Sequence, residues 1–241
     1  MLKIINNCFK FGHAVFSRNC LFCSGSVKNS HLSICSSCLQ ELPFQSETSC
    51  PQCGLVAAKG EVCGHCLQSA PAFDITYGLF AYQYPISTLL QKYKYGKQLD
   101  IATTLGKLIS KRAPSPSVAL PDVLIPMPLH PRRLQERGFN QAVEIARVVA
   151  HELHIPLDVH ACKRVKFSAS QVTLPLKERV RNMRNAFTCD RPLDNLKVAL
   201  LDDVMTTGAS LNALASAVKK AGASHVECWV IARTQPGMSH V

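Results

Sequence analysis

No apolar run in this 241-residue sequence approaches the roughly 20 residues that a membrane-spanning helix needs. Residues 1–19 carry Lys3, Lys10 and Arg18 but lack both an apolar core of roughly 7–15 residues and a small-residue cleavage site, so no signal peptide is expected and the chain reads as cytoplasmic. Acidic residues are scarce: 16 Asp and Glu stand against 27 Lys and Arg, a formal net charge of +11. That balance disfavours a cationic partner and favours an anionic one, such as nucleic acid or nucleotide. Tryptophan occurs once, and Trp229, inside a β-branched run, reads as core rather than as a platform for stacking bases. Hydrophobic residues make up 47%, enough for a real core in one or two domains.

Cysteine, by contrast, is abundant, with 12 residues. In a compartment that keeps thiols reduced, that number points to metal rather than to disulfides. The spacing sharpens the point: Cys20-x₂-Cys23, Cys35-x₂-Cys38, Cys50-x₂-Cys53 and Cys63-x₂-Cys66. Each pair can form a knuckle that offers two sulfurs to one ion from a single turn, and two knuckles complete a tetrahedral zinc site. Pairing neighbours predicts a double zinc ribbon, with Cys20/23/35/38 and Cys50/53/63/66 as the two sets; a cross-braced pairing satisfies the same spacing. Complete cysteine sets leave no open coordination position, so both zinc ions are structural, and His31 and His65 fall outside the ligand sets. Two such sites lower the working charge by about four, to about +7. Cys8, Cys162, Cys189 and Cys228 show no ligand spacing.

The sequence divides into a double zinc ribbon over 1–70, connecting strands and helix over 71–121, and an α/β domain over 122–241. In the connector, Phe73 to Tyr84 suggests one or two strands, and Ile86–Arg112 a helix or two short ones broken at Gly96. Lys92, Lys94 and Lys97 read as a solvated face there, and Ala113 to Ser117 as a Pro/Ser linker.

The α/β domain is organised around residues 197–213. Val198 to Leu201 is a buried-strand run, Asp202 and Asp203 follow at its carboxyl end, and Thr206-Thr207-Gly208-Ala209-Ser210 turns into an Ala/Leu-rich helix. A tight turn opening a helix presents unpaired N–H groups and a positive dipole end to an anion, and paired acids beside it can accept hydrogen bonds from vicinal hydroxyls. The stretch reads as a sugar-phosphate site. It resembles the phosphoribosyl-pyrophosphate (PRPP) signature of type I phosphoribosyltransferases. The resemblance implies a mainly parallel sheet flanked by helices, Asp202 and Asp203 on the ribose hydroxyls, Thr206 to Ser210 around the 5′-phosphate, and Mg2+ carried with PRPP.

Two basic segments accompany that site. Val123 to Pro126 is a strand candidate followed by Arg132, Arg133 and Arg137, which can bind phosphate oxygens bidentately; in a phosphoribosyltransferase sheet this unit supplies the pyrophosphate side of the pocket. Residues 164–187 form a long polar stretch in which Lys177, Arg181 and Arg184 share a face if helical. Either set can contact pyrophosphate or a DNA backbone, or be solvated surface.

Four C-x₂-C pairs, Pro126-x-Pro128, Arg137-Gly-Phe-Asn-Gln141, Ser168-x-x-Gln171-x-x-Leu174, Arg179-x-x-Asn182 with Ala186-Phe187, and the Asp-Asp turn occur in one order. That order resembles the ComF/GntX family from Cys20 to about Arg233, with a small departure at Ser168, where threonine is expected. The resemblance implies a cytosolic protein of natural competence that handles incoming single-stranded DNA alongside other competence proteins. No general base and no element for choosing an acceptor stand out. Two functions therefore stay open: a binding module that joins DNA uptake to nucleotide metabolism, or an active transferase that moves phosphoribose from PRPP to a nitrogen acceptor.

Overall fold

In the computed structural model Val198, Ala199, Leu200 and Leu201 have no exposed surface. Successive strand residues face opposite ways, so both faces of this strand are covered, as in a parallel sheet between layers of helices. The structure describes residues 18–27, 31–46, 48–96, 98–112, 120–166 and 185–235. Packing divides the chain into two compact units, Met1–Leu42 and Pro43–Val241.

The first unit pairs β1 (Arg18–Asn19) antiparallel with β2 (Ser26–Val27) and ends on the five-residue helix α1 (Ser36–Gln40). Its buried apolar residues among those described are Cys20, Val27, Leu32, Ile34 and Leu42. So small a core does not hold a fold by itself, which is where a metal is needed.

The second unit begins with the other cysteine segment, containing α2 (Gly64–Gln68). It continues through β3 (Ile75–Ala81), α3 (Ile86–Tyr95), α4 (Leu99–Arg112), β4 (Val123–Pro126), α5 (Pro131–Arg137) and α6 (Gln141–Leu153). A two-stranded antiparallel ribbon, β5 (Cys162–Arg164) with β6 (Phe187–Cys189), precedes β7 (Lys197–Met205), α7 (Ala209–Lys220) and β8 (His225–Arg233). The main sheet has the order β3-β8-β7-β4 and every pairing in it is parallel. Its edges are covered by irregular chain: Ala81 N–H donates to Pro43 O at 2.8 Å on one side, and Leu124 N–H to Pro156 O at 2.8 Å on the other. Helices cover it by apolar stripes. Leu211, Leu214, Ala215 and Val218 of α7 are buried at i, i+3, i+4 and i+7, and Ile86, Leu89, Leu90 and Tyr93 of α3 repeat the spacing.

The fold class read from the sequence is the one found, a parallel sheet flanked by helices, with cysteine clusters in the N-terminal part of the chain. The segment 71–121 contributes more than a connection, because β3, its one strand among the described residues, is an edge of the main sheet. Of the two readings of 86–112, the structure has the two helices broken at Gly96, the first ending at Tyr95. Trp229 is fully buried on β8 and donates from Nε1 to the buried Glu227 at 2.8 Å. Lys97, the linker 113–117 and residues 167–184, with Ser168, Gln171, Leu174, Lys177, Arg179, Arg181, Asn182 and Arg184, lie outside the described residues.

Candidate functional site

The eight cysteines gather as neighbours in sequence. Cys20, Cys23, Cys35 and Cys38 form one set and Cys50, Cys53, Cys63 and Cys66 the other, with all Sγ atoms of each set within 4.8 Å of one another. This is the sequential pairing, not the cross-braced one, and no histidine joins either set among the described residues. The sets fit zinc: sulfurs about 2.3 Å from a central ion form a tetrahedron with edges of about 3.8 Å. Cys23 and Cys35 Sγ are 3.8 Å apart, and Cys53 and Cys63 Sγ 3.7 Å.

The two sites repeat one another bond for bond. Cys35 N–H donates to Cys20 Sγ at 3.5 Å and Cys63 N–H to Cys50 Sγ at 3.3 Å. Each first knuckle turns on a left-handed residue, Ser24 at φ 60° and Gly54 at φ 68°. Each third cysteine opens a five-residue helix, α1 or α2. Cysteine and left-handed positions at matched spacing are enough to build this twice.

Asp202 and Asp203 stand near the end of β7. The strand runs past them to Met205, four residues beyond the expected end at Leu201, because β8 supplies parallel partners as far as Arg233. Both acids are half-buried. Burial, and then the neighbouring Asp203 charge, hold the Asp202 carboxyl well above its ordinary range. Past Met205 the chain turns through Thr206 and Thr207, both exposed, to Gly208 at φ 79°, which opens α7. Ala209 N–H donates to Thr207 Oγ1 at 3.3 Å.

A cation that reads as a solvated lysine in sequence sits on the acid pair. Lys94 Nζ is 3.1 Å from Asp203 Oδ2, with side-chain exposures of 26% and 13%. Burial alone would lower the Lys94 pKa, but Asp203 outweighs it and holds the ammonium above its ordinary value. Lys94 is thus a correction to the solvated face expected on α3; Lys92 does remain exposed. The Arg137-to-Gln141 motif sets its position. Phe139 packs against Tyr93 with ring centroids 5.6 Å apart. Asn140 caps α6 through Ala142 N–H at 3.0 Å and donates to Met127 O at 3.0 Å. Gln141 donates to Lys94 O at 3.3 Å and accepts from Tyr93 Oη through its own carbonyl at 3.2 Å. The motif therefore clamps the end of α3 that carries Lys94.

The basic residues distribute unevenly. Arg132, Arg133 and Arg137 lie on α5, whose first turn is capped by His130 accepting from Arg132 N–H at 3.3 Å. Arg132 is exposed, Arg133 pairs with Glu136 at 2.9 Å, and Arg137 donates to Gln141 at 3.2 Å. Arg164, which spacing does not single out, belongs with the acid pair: burial lowers its pKa, Asp202 acts to raise it, and Arg133 acts to lower it.

On the other side of the turn, a cavity of 570 Å³ opens between the second cysteine set and the start of α7, lined among others by Cys53, His65, Phe73, Thr207 and Asn212. Arg233, 2% exposed, spans the rim of this region. Its Nε donates to Cys53 O at 2.8 Å, and one terminal nitrogen donates to Met205 O at 2.9 Å, to Thr234 O at 3.1 Å and to Thr206 O. Neither Lys94 nor Arg233 carries a local sequence signal, since each partner comes from a distant part of the chain.

Comparison with known proteins agrees with these features. The double zinc ribbon domain family matches residues 11–67. The DNA utilization protein YhgH of Salmonella typhimurium is 34% identical over 220 residues, 89% of this chain and 96% of that one. Competence protein F of Haemophilus influenzae is 32% identical over 228 residues, 90% of this chain and 98% of that one. Among solved structures, the glutamine PRPP amidotransferase from B. subtilis, complexed with ADP and GMP, is 17% identical with a TM-score of 0.40, over 58% of this chain and 30% of that one. With a third of its residues shared along nearly the whole of both chains, this protein belongs to the ComF/GntX family, that of competence protein F and YhgH.

Proposed function

We propose that this protein acts in DNA utilization and natural transformation, handling incoming single-stranded DNA in the cytoplasm, and that its α/β unit binds PRPP. One observation carries the PRPP reading: two carboxylates near the end of a central parallel strand, compensated by Lys94 and followed, after Thr206 and Thr207, by a left-handed glycine that opens a twelve-residue helix. That arrangement puts acceptors for ribose hydroxyls beside helix amides suited to a phosphate. Mg2+ carried with the pyrophosphate would neutralise part of its charge, and Arg164, which interacts electrostatically with Asp202, could meet part of the remainder.

The DNA part of the reading rests on the relatives' names and on the basic charge. Arg132, Arg133 and Arg137 are the phosphate contacts assigned to it, with Lys177, Arg181 and Arg184 from sequence. The competence machinery supplies its protein partners.

Phosphorus NMR of Mg2+–PRPP with the zinc-loaded protein, before and after adding single-stranded DNA and pooled nucleobases, tests both parts. Broadened PRPP signals without a pyrophosphate line are expected. A pyrophosphate line that grows with one acceptor would instead make the protein a transferase and name its substrate. Sharp, unchanged PRPP signals would remove residues 202–210 as the site.

A further inference from the structure

We infer that Arg233 is a positioning residue that makes the second zinc site part of the phosphate-binding turn. The functional consequence rests on the PRPP reading; the mechanical link stands on the structure of the larger unit alone.

The argument starts from peptide geometry. In a planar trans peptide the carbonyl of one residue and the N–H of the next point in opposite directions. Arg233 draws the carbonyls of Met205 and Thr206 toward one guanidinium nitrogen. The amides of Thr206 and Thr207 are thereby turned the other way, away from the guanidinium. Thr234 N–H also holds the Met205 carbonyl at 3.0 Å, so the peptide that the buried side chain adds to this backbone bond is the one between Thr206 and Thr207. Arginine suits this task because its nitrogens lie in a rigid plane, so fixing Nε fixes the rest.

What fixes Nε is the carbonyl of Cys53, a residue of the second cysteine set. Thiolates held on one ion lock the knuckle 50–53, and the Cys53 carbonyl is locked with it. Further bonds hold the knuckle to the same unit. Gln235, 6% exposed, donates to Gly54 O at 3.1 Å and accepts from Val56 N–H at 2.9 Å. Thr76 N–H donates to Pro51 O at 2.8 Å. Arg233 therefore joins the knuckle, which the metal and these bonds hold, to the turn that follows β7. The chain of contacts runs from zinc ligand to guanidinium to the carbonyls of Met205 and Thr206.

The test uses the full zinc-loaded chain and Arg233→Met and Arg233→Lys, each checked for two bound zinc ions. Amide hydrogen exchange of residues 205–209 is read against that of 198–201, and PRPP affinity is read by phosphorus NMR. Arg233→Met should speed exchange of the turn by about tenfold or more while 198–201 stay protected, and weaken PRPP by a similar factor, with Arg233→Lys recovering only part of both. Cys66→Ser, which removes the second zinc, should loosen the turn in the same way and add little to Arg233→Met, because the two act along one path. Unchanged exchange at 205–209 in Arg233→Met, or fully additive effects of the two substitutions, would overturn the inference. If Arg233→Met exposes 198–201 as well, Cys66→Ser in the wild-type background decides: a turn that loosens ahead of 198–201 supports the link, and one that does not refutes it. Absent PRPP binding to the wild type would end the PRPP reading, while exchange would still judge the link.

Discussion

Lys94 Nζ lies 3.1 Å from Asp203 Oδ2, joining the end of α3 to the acid pair on β7. Without that cation two adjacent carboxylates would face each other in partly buried surroundings, where like charges cannot both ionise cheaply. The ion pair sets a positive charge against the acid pair, and the Arg137-to-Gln141 motif keeps the lysine in place.

Replacing the lysine tests this directly. Lys94→Met should lower stability by about 1–3 kcal/mol, less than a fully buried pair because both groups keep some solvent. Lys94 acts to lower the Asp202 pKa, so that pKa rises when the lysine charge is lost, and the pH below which PRPP binding fails should move upward. PRPP titrations across pH 5–9 measure that edge, and an edge at the wild-type pH would contradict the role given to Lys94.

A second prediction concerns pH and stability. The folded Asp202 carboxyl is held at about 8, above its ordinary 3.8, chiefly by burial and then by Asp203. An acid whose folded pKa is raised adds stability below its unfolded pKa, and that contribution is lost as pH rises through the folded value. Asp202→Asn, which never ionises, should therefore melt higher than wild type at pH 8–9, with the gap closing toward pH 4, while losing PRPP binding. Thermal melts across that range check the sign; a gap that widens on acidification would reverse the assignment.

Gly208→Ala should harm the turn in two ways. At φ 79° an L side chain is strained by about 1–2 kcal/mol. The added Cβ would also sit 2.8 Å from Met205 Cε, although that flexible end can move aside. A melting temperature lowered by about 2–4 °C per kcal/mol, with weaker PRPP binding, is expected in calorimetry and titration. Full retention of both would show that the turn is not strained by a side chain.

The zinc sets make a stoichiometric prediction. Native mass spectrometry should find two zinc ions in the wild type. The double variant Cys23→Ser with Cys38→Ser should keep one, since both residues belong to one set. Loss of both ions would mean that each residue serves a different site. Chelation should unfold 18–42 first, because few apolar residues there are buried without the metal's help.

Much of this was legible in the sequence wherever chemistry depends on short spacing. The C-x₂-C pairs announce knuckles because two sulfurs must reach one ion from one turn. Asp202-Asp203 followed by Thr206 to Ser210 announces a strand, a turn and a helix start because those residues are neighbours in the site as in the chain. Arg164 reads in sequence only as the start of the basic stretch 164–187 and is not singled out there, and β7 was expected too short because its last partners lie on β8.

By itself, then, the sequence determined the metal ligands, the fold class, the family and the stretch that carries the acids and the turn. The tertiary structure alone decided which knuckles share an ion, that Lys94 pairs with Asp203, and that Arg233 joins Cys53 to Met205 and Thr206. The physical reason is the strand order β3-β8-β7-β4, which brings the end of α3, the second knuckle and the last residues of β8 around the end of β7. No local periodicity encodes that order; it comes from burying both faces of one parallel sheet.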